Sequence, residues 1–122
     1  MIIDSHCHLT YEPMSNALKE TINRAKKDGI KYMLTISTED KSFEQILKIV
    51  NGYESVYGTY GIHPHEAKSH QHIKSDDIIN KVNQNKKIIG IGETGLDFYY
   101  NHSEKKDQIY SFEEHISAAP VS

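Results

Sequence analysis

Residues 31–63, KYMLTISTEDKSFEQILKIVNGYESVYGTYGIH, decide the fold. The stretch opens on an apolar, β-branched run, KYMLTIST at Lys31–Thr38, which reads as a strand. It continues as DKSFEQILKIVNG, where Phe43, Ile46, Leu47 and Val50 recur at the spacing of one helix face. Gly52 stops that helix. A second strand-like run, VYGTYGIH at Val56–His63, follows at once. A helix between two strands carries the chain back across the sheet, so the strands pair parallel through a right-handed crossover.

The same unit recurs on both sides. Upstream, Met1–His6 reads as a strand and Ser15–Asp28 as a helix with Ala17, Leu18, Ile22 and Ala25 as its apolar stripe. Ser15 or Asn16 can cap its start, and Gly29 ends it. Downstream, Ser75–Asn83 is a helix carrying Ile78, Ile79 and Val82, and Lys87–Glu93 is a strand. Glu104–Ala118 is a final helix, with Ile109, Phe112 and Ile116 expected to face inward. The order is βαβαβαβα, an α/β fold. Eight such units close a (β/α)8 TIM-type barrel of about 250 residues. This chain holds four, so residues 1–122 are expected to form one body equivalent to half a barrel.

Bulk properties narrow the function classes. With 122 residues, 37% hydrophobic and 25% charged, the chain fits one soluble domain. A net charge of −3 excludes a purely electrostatic nucleic-acid binder, though not an enzyme that meets phosphates through metal. Cys7 is the single cysteine, so no disulfide framework exists and a reducing, cytoplasmic setting is expected. The start lacks the pattern of a signal peptide, and no apolar run approaches the roughly 18 residues of a membrane span.

The polar residues collect at strand ends. His6 and His8 follow the first strand in DSHCH; His63 and His65 follow the third in GIHPHE; Glu93 ends the fourth in GIGETGLD. Parallel α/β folds build their sites at those ends. Alternation along the strand puts Asp4, His6 and His8 on one side and Ser5 and Cys7 on the other. Two imidazoles so placed can hold a divalent ion, and Asp4 can orient one of them. The alternative is a strand-capping histidine beside a solvated one. Cys7 points away and is expected to pack. Glu93 follows a strand interrupted by Gly90 and Gly92, and its two carboxylate oxygens can bridge two ions. Asp97 serves either the chemistry or its own turn. His63 and His65 are candidate substrate contacts, with a hydrogen-bonded loop as the alternative. His70 and His72 are expected to be solvated surface residues. Tyr99 and Tyr100 are expected to pack their loop, with stacking on a nucleobase as the alternative.

DSHCHL, GIHPHEA and IGETGLDFYY, taken together and in this order, resemble the TatD family of metal-dependent hydrolases within the amidohydrolase-like barrels. The resemblance runs from Met1 to about Ala119. It implies a (β/α)8 barrel that uses one or two divalent ions (Mg, Mn or Zn) to hydrolyse phosphodiesters, commonly in DNA. By position, His6 and His8 match ligands of the first metal, and Glu93 matches the acid that contacts both. Other barrel hydrolases that begin with His-x-His, amidohydrolases and phosphatases of the histidinol-phosphate type, are disfavoured by GETGLD after the fourth strand.

The family places further ligands, two histidines and an aspartate, on later strands. His115 is not one of them, because it lies inside a helical pattern. Pro120 follows Ala119 where the family continues its helix, so the tail reads as an internal loss or a truncated gene product. A four-stranded piece leaves two open edges and an uncovered inner face. It is therefore expected to be poorly stable, to self-associate, or to dock a second half-barrel. The active-enzyme reading stands beside that of a non-catalytic half-barrel module.

Overall fold

The computed structural model describes residues 1–121. Ser122, the last residue of the span read as one body, lies outside them. Four strands and four α-helices alternate: β1 Ile2–Cys7, α1 Leu18–Lys27, β2 Ile30–Thr35, α2 Phe43–Gly52, β3 Val56–Tyr60, α3 Ser75–Asn83, β4 Ile88–Ile91 and α4 Lys105–Ala118. The sheet runs in chain order, β1-β2-β3-β4, with every neighbouring pair parallel. The alternation read from the sequence is thus the architecture.

The helices cover one face of the sheet. Phe43, Ile46 and Val50 of α2, Ile22 of α1 and Ile78 of α3 are fully buried against Met33, Val56, Tyr60 and Ile88. Sequence periodicity finds α2 because these side chains all fall on one stripe. Gly29 adopts φ +94° just past α1, where the Asp28 and Gly29 N–H groups donate to the Arg24 and Lys26 carbonyls. That left-handed stop is one that glycine adopts without strain. The Lys87 ammonium donates to the Val50 and Tyr53 carbonyls at 2.6 Å each, closing the carboxyl end of α2.

Three expectations need correction. The strands stop early: β2 ends at Thr35, β3 at Tyr60 and β4 at Ile91. The residues beyond them leave the ladder and pair across loops instead. The first helix begins at Leu18, after a 3-10 turn over Met14–Ala17, so neither Ser15 nor Asn16 caps it. In α4 the expected inward residues face out: Ile109 is 39% and Ile116 54% exposed, and Phe112 is half-buried. Gln108, Ser111, His115 and Ala118 are buried in their place. This helix turns its polar side inward because its neighbours there are loop backbone groups, which need hydrogen-bond partners more than apolar cover.

The opposite face of the sheet is open. Ile3, Tyr32, Leu34, Tyr57 and Ile89 line a groove of about 300 Å³ on it. No helix among the described residues is long and apolar enough to cross a membrane.

Candidate metal centre

β1 and β4, the outer strands, lead into the candidate ligands, and each departs from regular pairing close to them. Asp4 pairs with Met33 and Cys7 with Thr35, so β1 fits one residue more than β2 into the same step. Gly58–Thr59 faces Ile88–Gly90 in the same way on β4. Such bulges re-aim side chains beside functional sites.

The bulge on β1 modifies the simple alternation. His6 and His8 do converge, their Nε2 atoms 3.2 Å apart. Asp4 does not reach either ring. Its carboxylate turns back and accepts the main-chain N–H of His6 at 3.1 Å, so it fixes the strand end rather than an imidazole. Cys7 packs against the core, its thiol donating to the Leu34 carbonyl. Burial, with a lesser push from Asp4, raises that thiol to about 12, which suits a packed residue and not a ligand.

Glu93 reaches the pair from the far side of the sheet. Its Oε2 lies 3.5 Å from His6 Nε2 and 3.8 Å from His8 Nε2, while Oε1 faces His63 Nε2 at 3.7 Å. Among the described residues, His6, His8 and Glu93 form a group whose ligand atoms all lie within 4.8 Å of one another. Two imidazoles and a carboxylate suit Zn or Mn, and three ligands leave positions open for water and substrate.

The backbone around Glu93 is pinned on both sides. Its N–H donates to the Ser37 carbonyl at 2.7 Å, and the Gly92 N–H to the Tyr60 carbonyl at 2.8 Å. Thr59 Oγ1 donates to the Gly92 carbonyl at 2.6 Å and accepts the Ser37 N–H at 3.1 Å. Ser37 Oγ donates to the Gly61 carbonyl. A Cβ on Gly61 would stand 2.5 Å from the Gly92 carbonyl carbon, so only glycine admits this approach. Sequence reasoning missed Ser37 and Thr59. Their signal was present: small hydroxyl residues at the ends of otherwise apolar strands.

His63 and His65 lie beside the cluster, their rings 4.4 Å apart. His63 Nδ1 accepts the His65 N–H, which leaves Nε2 facing Glu93. Burial holds His63 below its ordinary value despite the opposing pull of Glu93, so the ring is neutral near pH 7. His65 Nε2 meets Asp97 Oδ2 at 2.7 Å. That hydrogen bond is the main reason the Asp97 carboxyl lies low. The other oxygen of Asp97 accepts the N–H groups of Tyr99 and Tyr100. Asp97 therefore builds its own turn, one of the two readings weighed for it, and also ties that turn to the histidine loop.

Other residues fall where chemistry was not expected. Tyr11 stacks on His8 at 4.7 Å. His70 is not simply solvated, since its Nε2 accepts the Asp40 N–H at 3.3 Å, while His72 is exposed. Tyr99 and Tyr100 do not pack: they are 87% and 64% exposed, because the turn that Asp97 holds projects them outward.

A model of the TatD related DNase family matches residues 3–121. The chain belongs to this family. An uncharacterized metal-dependent hydrolase of Buchnera aphidicola is 37% identical over 97% of this chain and 45% of its own length. The TatD 3'-5' ssDNA/RNA exonuclease of Salmonella typhimurium is 30% identical over 97% of this chain and 45% of its own. The crystal structure of the TatD homologue YjjV from Escherichia coli superposes with a TM-score of 0.79 at 24% identity, over 96% of this chain and 46% of that one. A TatD family hydrolase from Entamoeba histolytica gives a TM-score of 0.76. The TatD fold is therefore the fold of this chain, which spans about half the length of the relatives it matches.

Proposed function

We propose that the chain carries half the active site of a metal-dependent hydrolase of phosphodiester bonds, with DNA as substrate. The convergence of His6, His8 and Glu93 carries this reading. His6, His8 and Glu93 would hold a divalent ion, which would lower the pKa of water bound to it and neutralise phosphate oxygens. The two imidazoles supply neutral nitrogen ligands. Glu93 supplies the charge and, through Oε1, a second oxygen turned toward His63. A neutral His63 can donate a hydrogen bond to a phosphate oxygen. Asp97 accepts from His65 Nε2 and so holds that ring at the rim of the site, beside His63. The exonuclease named among the relatives supports a nucleic-acid substrate.

The test is nicking of DNA by the purified chain with added Mg, Mn or Zn, beside its Glu93→Ala variant. Activity in the wild type that the variant lacks is the expected result. Equal activity in both removes the enzymatic reading for this chain.

A second reading rests on the open sheet face. Ile3 and Ile89 are exposed there, and among the described residues β1 and β4 both present unpaired edges. In that reading residues 1–122 act as a module completed by a second half-barrel or by another copy of the chain. Sedimentation showing a dimer, or a chain that melts cooperatively only with such a partner, is the expected result. A cooperative melt from a dilute monomer overturns it.

A further inference from the structure

The geometry points to a second subsite: the loop Phe98–His102 is a stacking platform for unpaired bases of a strand whose phosphodiester lies at the His6–His8–Glu93 cluster. It rests on the phosphodiesterase reading above and specifies the part of the substrate that this loop takes.

Three consecutive aromatic rings stand in water here. Phe98 is 45% exposed, beside the more exposed Tyr99 and Tyr100. Single exposed aromatics are ordinary, but a contiguous set marks a surface that binds something. The rings are also ordered among themselves. Tyr99 and Tyr100 meet edge to face at 4.9 Å and 89°, and Tyr100 lies nearly parallel to His102, 14° apart at 5.9 Å.

The loop beneath them is built as a rigid mount. Asp97 accepts both tyrosine N–H groups. The fully buried Gln108 clamps Asp97 through its N–H at 2.7 Å and its carbonyl at 3.0 Å. Ser103 Oγ donates to the His65 carbonyl and accepts the Lys68 N–H. Rings held in place before binding lose little freedom on binding.

Position and charge select the ligand. His65 lies 4.5 Å from His102 and 5.8 Å from Tyr100, and 4.4 Å from His63, which faces Glu93. A run of rings thus leads from the candidate ligands to the platform. Lys105 Nζ sits 4.7 Å above the Phe98 ring and offers a cation for a phosphate. Two neighbouring carboxylates are engaged, Asp97 by His65 and Glu104 by Lys106 at 3.3 Å. Aromatic faces beside a lysine cation suit a base and its phosphate, and stacking tolerates any base because every base has a π-face. A paired base inside a duplex offers no face to stack on, so the ligand is single-stranded or frayed.

The test is a fluorescence-anisotropy titration of the full chain with a labelled oligothymidylate, in EDTA and again with Mg, against an abasic strand of equal length. Tyr99→Ala/Tyr100→Ala and Tyr99→Phe/Tyr100→Phe double variants are run beside the wild type. Each stacked base contributes roughly 5- to 150-fold in affinity. The expected result is at least about tenfold weaker oligothymidylate binding by the alanine variant, unchanged abasic binding, and near wild-type affinity with phenylalanine. Because the rings are exposed, thermal melts of the variants should match the wild type. If the wild type binds both strands equally, or alanine changes nothing, the stacking platform is wrong while the phosphodiesterase reading stands. If the wild type binds neither strand in either buffer, both fall.

Discussion

His115 reaches out of the last turn of α4 to accept the main-chain N–H of Ile62 at 3.0 Å, while its other ring nitrogen donates to the Ser111 carbonyl at 2.6 Å. Ile62 immediately precedes His63, so α4 holds the loop that carries a candidate substrate contact. Accepting at Nε2 requires a neutral ring.

That requirement sets a pH dependence. Burial holds His115 below its ordinary value of 6.5, partly offset by its bond to Ser111 and by Glu114. The folded pKa is depressed, so the stability it contributes is complete above the unfolded value and is lost as pH falls through the folded one. Thermal melts between about pH 8 and pH 5 should show Tm falling on the acid side of 6.5. His115→Gln should flatten part of that slope, and an identical slope in the variant would count against the assignment.

Thr59→Val tests the mount of Glu93. Valine keeps the shape but strands the Gly92 carbonyl and the Ser37 N–H, at a cost of about 1–3 kcal/mol for each group left unpaired. Denaturant unfolding should report that loss. Calorimetric titration with Zn should show weaker binding, although Thr59 is not itself a ligand.

Gly61→Ala tests close approach. The new Cβ would press on the Gly92 backbone, and overpacking of this kind costs typically 1–3 kcal/mol. Glu93 follows Gly92, so the same substitution should reduce ion affinity. Wild-type stability and affinity in the variant would show that the two loops part without consequence.

Removal of a ligand should appear as lost stabilisation by metal. An ion at about a hundred times its Kd stabilises a folded chain by about 2.7 kcal/mol. Wild-type Tm should therefore rise with Zn or Mn, and Glu93→Gln and His6→Ala should lose most of that rise. An undiminished rise in both variants would place the ion elsewhere.

What could be read from the sequence divides along physical lines. The β/α alternation was legible because Phe43, Ile46 and Val50 obey helical spacing and the strands are β-branched. The candidate ligands were legible because parallel sheets gather their carboxyl ends, so His6, His8 and Glu93 could be brought together without knowing any distance. The inward face of α4 was not legible. Periodicity detects apolar stripes, and here the buried stripe is Gln108, Ser111 and His115, matched to loop backbone rather than to a core. Asp4 escaped for a related reason. A bulge breaks strict alternation, and nothing in DSHCH announces one. The tyrosines escaped because their direction is set by the hydrogen bonds their N–H groups donate to Asp97, two and three residues earlier.

His6 lies on one outer strand of the sheet with His8 just past its end, and Glu93 follows the other. The three donors therefore meet only when every intervening seam, β1 to β2, β2 to β3 and β3 to β4, has formed in register. Chelation at this point works as a checksum on the whole curved sheet. A chain that opens at any seam keeps its imidazoles but loses the three-donor grip, so affinity for a free divalent ion reports whether the whole sheet is assembled.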